Sequence, residues 1–498
     1  MELVKPPEVF GRTTEWAQLD AFRTSPRRGH RLAIMYGRRR QGKTLLLRSM
    51  AQATNGFYWQ ARQQSSAQNL ASFSAALGEL TGAPTGLQTS GWEEALNILL
   101  GSASDGRLAV IDEVGYLLAT EPSIPSHLQA QLAPLEPGSP AVGARLVLCG
   151  SAFGEMRRLV DPHAPLRGRH DLELVVRPFD YRDSARYWGL ASNPDAAFRL
   201  HALVGGTPAY REYSGGDLPD DGNIDGWVAR NLLNPASPLY REGRVVIGED
   251  TALTDQGLYW GVLGAIADGA RTRGEITAAL GRPPTSLAHA LDTIVEAGWV
   301  VAEQDPLRER GTTFHLDDPI VRLQRLVVEP NDARMTLRND PAGVWQESLP
   351  LVRSRVYGPH LERLARLWAL GWAGEETLGG RANVVGPSVV TIGGSRHQLD
   401  VVATEVTPRG RRSVLAIGEV KAESAPIGVG ELARLDSIAE SLPASGRGAT
   451  GPRPSRRGAT EPRRLLVARA GFTSDLQSAA RRRGDVELID LHRLYTGS

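Results

Sequence analysis

Lysine is scarce in this chain, and its two internal lysines lie among residues whose types could bind phosphate groups. Of the 57 Lys and Arg residues in 498, only Lys5, Lys43 and Lys421 are lysines. An ammonium group is a compact charge on a thin stem, whereas a guanidinium is broad, planar and always protonated. A sequence that uses arginine almost everywhere therefore marks, with each internal lysine, a place that arginine fills poorly.

The segment 37–44 follows the spacing G-x-x-x-x-G-K-T between a strand-like run, 31–36, and a helix-like run, 44–52. Backbone N–H groups of such a loop wrap phosphates, and the following helix adds a favourable dipole. Lys43 would reach the oxygens of the β- and γ-phosphates, and Thr44 would bind Mg²⁺. The alternative interpretation of the segment is a plain glycine-rich turn. The spacing predicts ATP and Mg²⁺ as cofactors, bound by Gly37, Arg38, Arg39, Arg40, Gln41, Gly42, Lys43, Thr44 and Leu45.

Asp112 and Glu113 end an apolar run about 70 residues after the loop. At the tip of a strand, Asp112 would hold Mg²⁺ through water, and Glu113 would orient and deprotonate the attacking water. Such a pair alone is most often a solvated strand end, and the loop upstream favours the catalytic interpretation.

Two further residues are weaker candidates for contact with the nucleotide. Ser151 follows the apolar run 145–150 and could sense the γ-phosphate, with a helix cap as the alternative. Arg169 could reach the nucleotide of a neighbouring subunit, with an ordinary surface arginine as the alternative. A homo-oligomer is therefore one expectation.

The second internal lysine belongs to a set, Asp400, Glu419 and Lys421, that resembles the D…E-x-K arrangement of restriction-endonuclease-like folds. Residues two apart on a strand face the same side, so Glu419 and Lys421 would project together. Asp400 and Glu419 would hold Mg²⁺, and Lys421 would stabilise charge on the attacking water or the phosphate. The alternative is an ion pair on an exposed strand.

Composition is that of an ordinary globular protein of several domains, with 41% hydrophobic and 23% charged residues. The net charge of +1 gives no global attraction to nucleic acid or lipid, so any such contact must be local. Membrane-length apolar runs and an apolar signal core are absent from the sequence, and Cys149 is its single cysteine. We expect a cytoplasmic protein without a membrane segment.

The elements that would position these residues follow from periodicity. Up to residue 180 short apolar runs alternate with helix-like segments, which predicts a parallel α/β core with strands over 31–36, 56–61, 107–112, 145–150 and 171–176. Residues 181–240 have a helical pattern and are expected to form a lid, with the segment 205–210 bending it toward the base.

Three short helices and a strand pair within 241–335 predict a winged-helix domain. A second α/β pattern occupies 340–498, interrupted by a Gly-, Pro- and Arg-rich segment, 445–464, that we expect to be a flexible insertion. In the third short helix His289, Asp292 and Glu296 stand where base-reading residues are usual, which favours a structural or inter-domain role for this helix over sequence-specific reading. DNA contacts should then be mainly with phosphates, through Arg308, Arg310 and the arginines of 447–464.

Six segments in this order resemble the archaeal-type ATPase family: VFGRTTEWAQLDAF, YGRRRQGKT, VIDEVGYL, GSAFGEM, LRGR and GGTPAY. That family belongs among the AAA+/STAND P-loop proteins and often carries a nuclease-like C-terminal domain. The resemblance implies that Phe10, Gly11 and Arg12 lie near the adenine. Glu362 matches the extra acidic metal ligand often seen in nucleases of the D…E-x-K type.

The resulting fold class is multidomain α/β: a P-loop NTPase sheet (1–180), a helical lid, a winged-helix domain and a restriction-endonuclease-like domain. The leading function is an ATPase whose nucleotide state controls a Mg²⁺-dependent DNA nuclease. The alternative is a STAND-like regulatory or signalling switch, whose C-terminal domain binds DNA or a protein partner without cleaving. A helicase-like motor is disfavoured because the chain has no paired core or strand-separating motif.

Overall fold

The computed structural model describes residues 3–83, 87–103, 107–132, 143–151, 153–219, 223–250, 253, 255–308, 311–408, 410, 412–442 and 461–498, without the side chains of residues 284–286. These residues form two compact units. Unit 1 consists of Met1–Phe179, Thr207–Ala209 and Gly248–Thr254, and unit 2 of Asp180–Gly206, Tyr210–Ile247 and Asp255–Ser498. The predicted four-domain boundaries stay a prediction.

Unit 1 alternates strands and helices as the apolar runs predict. Its strands are β1 (Arg31–Tyr36), β2 (Phe57–Gln60), β3 (Leu108–Asp112), β4 (Arg145–Gly150) and β5 (His170–Val175). Its helices are α1 (Thr13–Thr24), α2 (Lys43–Ala53), α3 (Ser66–Thr81), α4 (Trp92–Ser102), α5 (Val114–Thr120), α6 (Ile124–Gln131) and α7 (Phe153–Arg158). Each predicted strand is confirmed to within one residue at either end.

The sheet of unit 1 is parallel, in the order β2-β3-β4-β1-β5, and its residues alternate between two cores. Leu32 and Ile34 pack with α3 to α7 on one face, and Ala33 and Met35 pack with α1 and α2 on the other. Parallel strands buried on both faces read as apolar runs, which is why the sequence located them. With the glycine-rich loop between β1 and α2, the arrangement fits a P-loop NTPase fold.

Unit 2 holds the remaining elements. Its strands are β6 (Val300–Gln304), β7 (Thr312–Leu316), β8 (Val384–Ile392), β9 (Ser395–Val406), β10 (Arg412–Lys421), β11 (Arg463–Ala468) and β12 (Val486–Asp490). The remaining helices of the chain are α8 (Tyr181–Tyr187), α9 (Pro194–Val204), α10 (Ala209–Tyr213), α11 (Ile224–Asn231), α12 (Glu242–Gly248), α13 (Gln256–Ala267), α14 (Arg273–Leu280), α15 (Pro284–Glu296), α16 (Pro319–Leu323), α17 (Glu329–Arg338), α18 (Pro341–Val352), α19 (Gly358–Gly371), α20 (Glu375–Leu378), α21 (Val429–Ser441), α22 (Ser474–Arg482) and α23 (Leu491–Thr496). Short π-helical segments join α16 to α17 and α18 to α19, over Gln324–Val328 and Arg353–Tyr357. Within the described ranges, no helix is both long and apolar enough to cross a bilayer.

The three predicted helices before the strand pair are α13, α14 and α15, and β6 and β7 form an antiparallel hairpin. The hairpin loop packs against the second sheet, since the hydroxyl of Ser388 donates to Asp305 at 2.7 Å. Arg308 donates to the carbonyl of Val389 at 2.7 Å and lies 3.5 Å from Asp305. The side chain of Arg308 is still 55% exposed, so its predicted contact with DNA stays a prediction; Arg310 lies outside the described residues.

The second sheet has the order β12-β11-β10-β9-β8 and mixes two strand directions. Strands β8, β9 and β10 form an antiparallel meander, whereas β10, β11 and β12 are parallel. Helices α21 and α22 share a core with β9, β10 and β11, and α19 contacts β8, β9 and β10. Asp400 on β9 and Glu419 on β10 thus come from adjacent strands.

Strand β11 begins inside the segment 445–464 that was expected to be a flexible insertion. Arg464 is only 3% exposed and lies 2.9 Å from Asp436, so this arginine is held in the sheet and is not free to bind DNA. The expectation is therefore wrong for residues 463–464, and residues 443–460 lie outside the described part of the chain.

Candidate functional site

The loop between β1 and α2 requires glycine at two positions. Gly37 has a φ of 156°, and a Cβ there would lie 2.2 Å from the carbonyl oxygen of Val176. Gly42 precedes α2 with a φ of 78°, a conformation that residues with side chains adopt at a cost. The loop therefore wraps the N-terminus of an 11-residue helix, where N–H groups and the helix dipole favour an anion.

Lys43 lies inside this loop, with 5% of its surface exposed. Its ammonium group donates to the carbonyls of Gly37 at 2.6 Å and Arg38 at 2.8 Å. Burial lowers the pKa of Lys43, while the nearby Glu113 and Asp112 act in the opposite direction. The charge is thus held at the centre of the loop by the loop's own backbone, ready to exchange a carbonyl for a phosphate oxygen.

Asp112, at the end of β3, is fully buried and accepts hydrogen bonds from several groups around this site. Its Oδ2 atom accepts hydrogen bonds from the hydroxyls of Thr44 and Tyr58, both at 2.8 Å. Its Oδ1 atom accepts from the backbone N–H of Glu113 at 2.9 Å. The predicted pair of Thr44 and Asp112 therefore meets directly, while Tyr58 is a residue that the sequence did not single out.

The oxygen atoms of Thr44 and Asp112 fit the requirements of Mg²⁺. This cation prefers hard oxygen ligands and keeps several of its waters, so a hydroxyl and one carboxylate suffice on the protein side. The hydrogen bond between Thr44 and Asp112 brings the two oxygens to 2.8 Å beside the loop. Both groups lie where a phosphate-bound cation would need them.

Glu113 follows in a left-handed conformation, with a φ of 51°, at the start of α5. The hydroxyl of Ser151, just after β4, donates to Oε2 of Glu113 at 2.9 Å. The two strand ends are therefore linked through side chains that the sequence nominated separately. Ser151 holds the candidate general base in this structure, and a contact of Ser151 with the γ-phosphate stays a prediction.

The three residues predicted near the adenine, Phe10, Gly11 and Arg12, lie beside the loop. The guanidinium of Arg12 donates to the carbonyl of Gln41 at 2.9 Å and lies 4.6 Å above the ring of Phe179. The ring of Phe10 meets Phe179 edge-on at 5.6 Å. These aromatic and cationic groups border the phosphate loop, and their contact with a base stays a prediction.

Two arginines of the loop have an acidic partner from the segment Gly248–Thr254 of the same unit. Arg40, with a φ of 68°, lies 2.6 Å from Glu249, and Arg39 lies 3.9 Å from it. Arg39 also donates to the hydroxyl of Tyr116 at 2.6 Å. Glu249 therefore places a carboxylate where the outer face of the loop is most basic.

Two predicted nucleotide contacts have other surroundings in this structure. Arg169 is half-buried and donates to the carbonyl of Leu132 at 3.3 Å, so its guanidinium is engaged within the chain. Leu45, in the first turn of α2, leaves 47% of its surface exposed. The role of Arg169 toward a neighbouring subunit stays a prediction.

The second candidate site is a cleft of about 650 Å³ in unit 2, lined by Glu362, Asp400, Glu419 and Lys421 among others. Lys421 donates to Oε1 of Glu419 at 2.8 Å, so the two residues project together as predicted. Asp400 accepts from the backbone N–H of Val420 at 3.0 Å, which fixes its carboxylate against β10. The structure thus brings all four predicted residues into one cleft.

The carboxylates of this cleft raise one another's pKa, because each negative charge disfavours ionisation of its neighbours. Burial and the nearby Glu362 raise the pKa of Asp400 to about 6. Burial and Asp400 raise the pKa of Glu419, and burial raises that of Glu362. Burial lowers the pKa of Lys421, but its hydrogen bond to Glu419 and the charges of Glu419, Glu431 and Asp400 together outweigh this and raise it. Concentrated negative charge with a raised carboxyl pKa is what a bound cation would relieve.

Asp400, Glu419 and Glu362 fit Mg²⁺ by donor chemistry, since all three offer carboxylate oxygen. Among the residues that the structure describes, no three His, Cys, Asp or Glu side chains are arranged to hold a metal ion. The two oxygens of Glu419 instead accept hydrogen bonds from Lys421 and Arg434. Arg434 was not predicted as a site residue; it lies on helix α21, which is separate from the two strands that carry the carboxylates.

No family model matches the chain, and no curated protein matches it. Solved structures similar to it include the Walker-type ATPase PABY2304 of Pyrococcus abyssi, with 19% identity, a TM-score of 0.47, and coverage of 65% of this chain and 97% of that one. The ORC2 protein of Aeropyrum pernix in ADPNP–ADP complexes has 15% identity and a TM-score of 0.39, with coverage of 70% and 98%. Cdc6p from Pyrobaculum aerophilum has 14% identity and a TM-score of 0.34, with coverage of 69% and 96%. Likenesses at these scores establish neither a family nor an activity, so the assignment of function rests on the side chains themselves.

Proposed function

We propose that unit 1 binds and hydrolyses ATP. The observation that carries this proposal is the direct contact between the glycine-rich loop and the carboxylate at the end of β3. Lys43 is enclosed by carbonyls of the loop, and the hydroxyl of Thr44 donates to Asp112 at 2.8 Å. A glycine-rich surface turn would leave its lysine in solvent. Burial of a lysine whose direct hydrogen-bond partners are backbone carbonyls is costly, and a bound phosphate would offset that cost.

Each residue has a distinct task in this proposal. Lys43 and the backbone N–H groups of the loop bind the phosphates, and Thr44 and Asp112 would hold Mg²⁺, which neutralises phosphate charge when bound. Glu113 accepts a proton from the attacking water, and Ser151 keeps its carboxylate oriented through the bond of 2.9 Å. Arg12 and Phe10 border the space proposed for the base.

We further propose that unit 2 carries a metal-dependent nuclease-like site, in a restriction-endonuclease-like domain. Support comes from the cleft that gathers Asp400, Glu419 and Lys421 on adjacent strands of a mixed sheet. Asp400 and Glu419 would hold the cation, and Lys421 would stabilise charge on water attacking a phosphodiester. The helices α13 to α15 and the hairpin are proposed as a winged-helix domain, with DNA contacted through phosphates.

The two lysines allow one experiment in which each variant is the control of the other. We expect Lys43→Ala to lose ATP turnover by 100-fold or more, because the charge at the phosphates is gone, and to retain any basal nicking of plasmid DNA. We expect Lys421→Ala to retain ATP turnover and to lose nicking. Release of phosphate and nicking of supercoiled plasmid with Mg²⁺ or Mn²⁺ are measured on both variants and on the wild-type protein, with and without ATP.

The outcomes separate the proposals. Turnover of ATP by Lys43→Ala at the wild-type rate would remove the ATPase assignment. Nicking by Lys421→Ala at the wild-type rate would remove the nuclease assignment. ATP binding with slow turnover and no cleavage of any nucleic acid would favour the regulatory switch, and an ATP-dependent nicking rate would support control of the nuclease by nucleotide state.

A further inference from the structure

Arg434 occupies the carboxylate that the proposed nuclease site needs. Its guanidinium donates to Oε2 of Glu419, while Lys421 donates to Oε1 at 2.8 Å. Glu419 is only 6% exposed, and each of its oxygens already accepts a hydrogen bond from a cationic side chain. A metal cation at Oε2 of Glu419 would therefore compete with the guanidinium of Arg434 for that oxygen.

The surroundings of Arg434 determine where its guanidinium can go. Its Nε atom donates to Glu431, one turn earlier on α21, at 3.0 Å. About a third of the Arg434 side chain is exposed, and both residues line the cleft. The bond to Glu431 keeps the guanidinium at the cleft while its outer nitrogens exchange partners.

The chemistry of the guanidinium indicates which group Arg434 could bind in place of Glu419. Its planar fork matches the oxygens of a phosphate, and such charge-assisted bonds are stronger than neutral ones. Arg353 and Arg396 line the same cleft, which adds positive charge around the acidic floor. A phosphodiester entering the cleft would therefore meet Arg434 before it meets Glu419.

We propose that Arg434 is a phosphodiester-binding residue that rests on Glu419, so that a nucleic-acid phosphate and a divalent cation each promote the binding of the other. The inference rests on the proposed nuclease-like site and names its order of assembly. Coupling of this kind is reciprocal, since any phosphate that draws Arg434 away frees Glu419, and any cation on Glu419 frees Arg434.

The test uses Arg434→Gln, which removes the charge and keeps most of the side-chain length, in the full chain. The matched control is Arg482→Gln, an exposed arginine at the end of α22 in the same unit. Binding of Mn²⁺ alone is measured by calorimetry, and binding of a short DNA duplex in EDTA is measured by fluorescence anisotropy. Unfolding midpoints verify that each variant is folded.

We expect Arg434→Gln to bind Mn²⁺ roughly threefold more tightly or better, because the competing cation is gone, and the duplex roughly threefold more weakly or worse. Arg482→Gln should match the wild-type protein in both. Unchanged or weaker Mn²⁺ binding, unchanged DNA binding, or no Mn²⁺ binding by any protein would overturn the inference. Opposite shifts without any nicking would keep Arg434 as proposed and remove only the nuclease activity.

Discussion

At the scale of single residues, Asp112 shows how the candidate ATP site is kept in order before a nucleotide binds. A fully buried carboxylate is stable only when its oxygens are hydrogen-bonded. Thr44, Tyr58 and the backbone of Glu113 supply those bonds, and two of the three donors share Oδ2. Burial and Asp112 raise the pKa of Tyr58, so its hydroxyl stays protonated and remains a donor. Tyr58 is therefore a positioning residue, because it acts through Asp112.

We expect Tyr58→Phe to lower ATP turnover by roughly 10-fold, since a hydrogen bond to a charged group is worth about 1.5 kcal/mol or more. The loss should be accompanied by a higher half-saturating Mg²⁺ concentration, because Asp112 is less well oriented toward the cation. Steady-state turnover against Mg²⁺ concentration measures both. The control is Tyr259→Phe, at a buried tyrosine of α13 in unit 2. A fall in turnover at an unchanged Mg²⁺ requirement would speak against the positioning role.

At the scale of secondary-structure elements, the strands that are buried on both faces are those that the sequence predicts best. The strands of unit 1 are found within a residue of their sequence positions because both faces are covered and the runs are apolar. Strand β12 was not predicted: it lies at the edge of its sheet, only Val486 and Ile489 are buried, and Glu487 interrupts the apolar pattern. The glycine-rich loop is predictable because its backbone requires glycine. Its acidic partner Glu249 is not, since 209 residues separate it from Arg40.

The contact of Glu249 with the loop predicts that its removal strengthens nucleotide binding. Its carboxylate lies 2.6 Å from Arg40 and 3.9 Å from Arg39, where it would compete with a bound phosphate for both guanidinium groups. Because Glu249 and the two arginines are partly exposed, water weakens these ion pairs and the effect is modest. We therefore expect Glu249→Gln to bind ATP with Mg²⁺ about two- to fivefold more tightly. Calorimetric titration with a non-hydrolysable ATP analogue measures this, with the exposed Glu79→Gln of α3 as the charge-matched control. Weaker binding would instead show that Glu249 holds the loop in its binding shape.

At the scale of the whole molecule, the sequence located chemistry but not the contacts that assemble it. Scarcity of lysine and the spacing of glycines and carboxylates nominated residues in each unit, and each set meets in one place. The residues that the sequence did not indicate are hydrogen-bond partners of the site carboxylates on other elements, such as Tyr58 on β2 and Arg434 on α21. Polar residues of this kind carry no periodic signal, because their role is defined only when the tertiary fold brings them to a carboxylate. The same holds for the buried histidines of unit 2.

His360, on α19, links helices of unit 2 through a contact of 2.9 Å between its Nε2 atom and Nδ1 of His201. Burial lowers the pKa of His360 well below its ordinary value of 6.5, and the charges of His201, Arg322 and Arg363 add to this effect. The folded chain therefore keeps His360 neutral, whereas the unfolded chain binds a proton below about pH 6.5. Stability contributed by the neutral form is thus present above that pH and is lost as the pH falls through it.

We expect the wild-type protein to lose stability between pH 7 and pH 5 more steeply than His360→Gln, by at most about 1.4 kcal/mol per pH unit, which is the linkage of one proton. Titrating groups away from this contact are common to both proteins, so the difference between the two profiles reports His360 together with its partner His201. The exposed His492→Gln of α23 is the matched control and should follow the wild-type profile. Apparent unfolding midpoints at half-unit pH steps measure the slopes. Parallel profiles for wild type and His360→Gln would mean that the fold does not hold this histidine neutral.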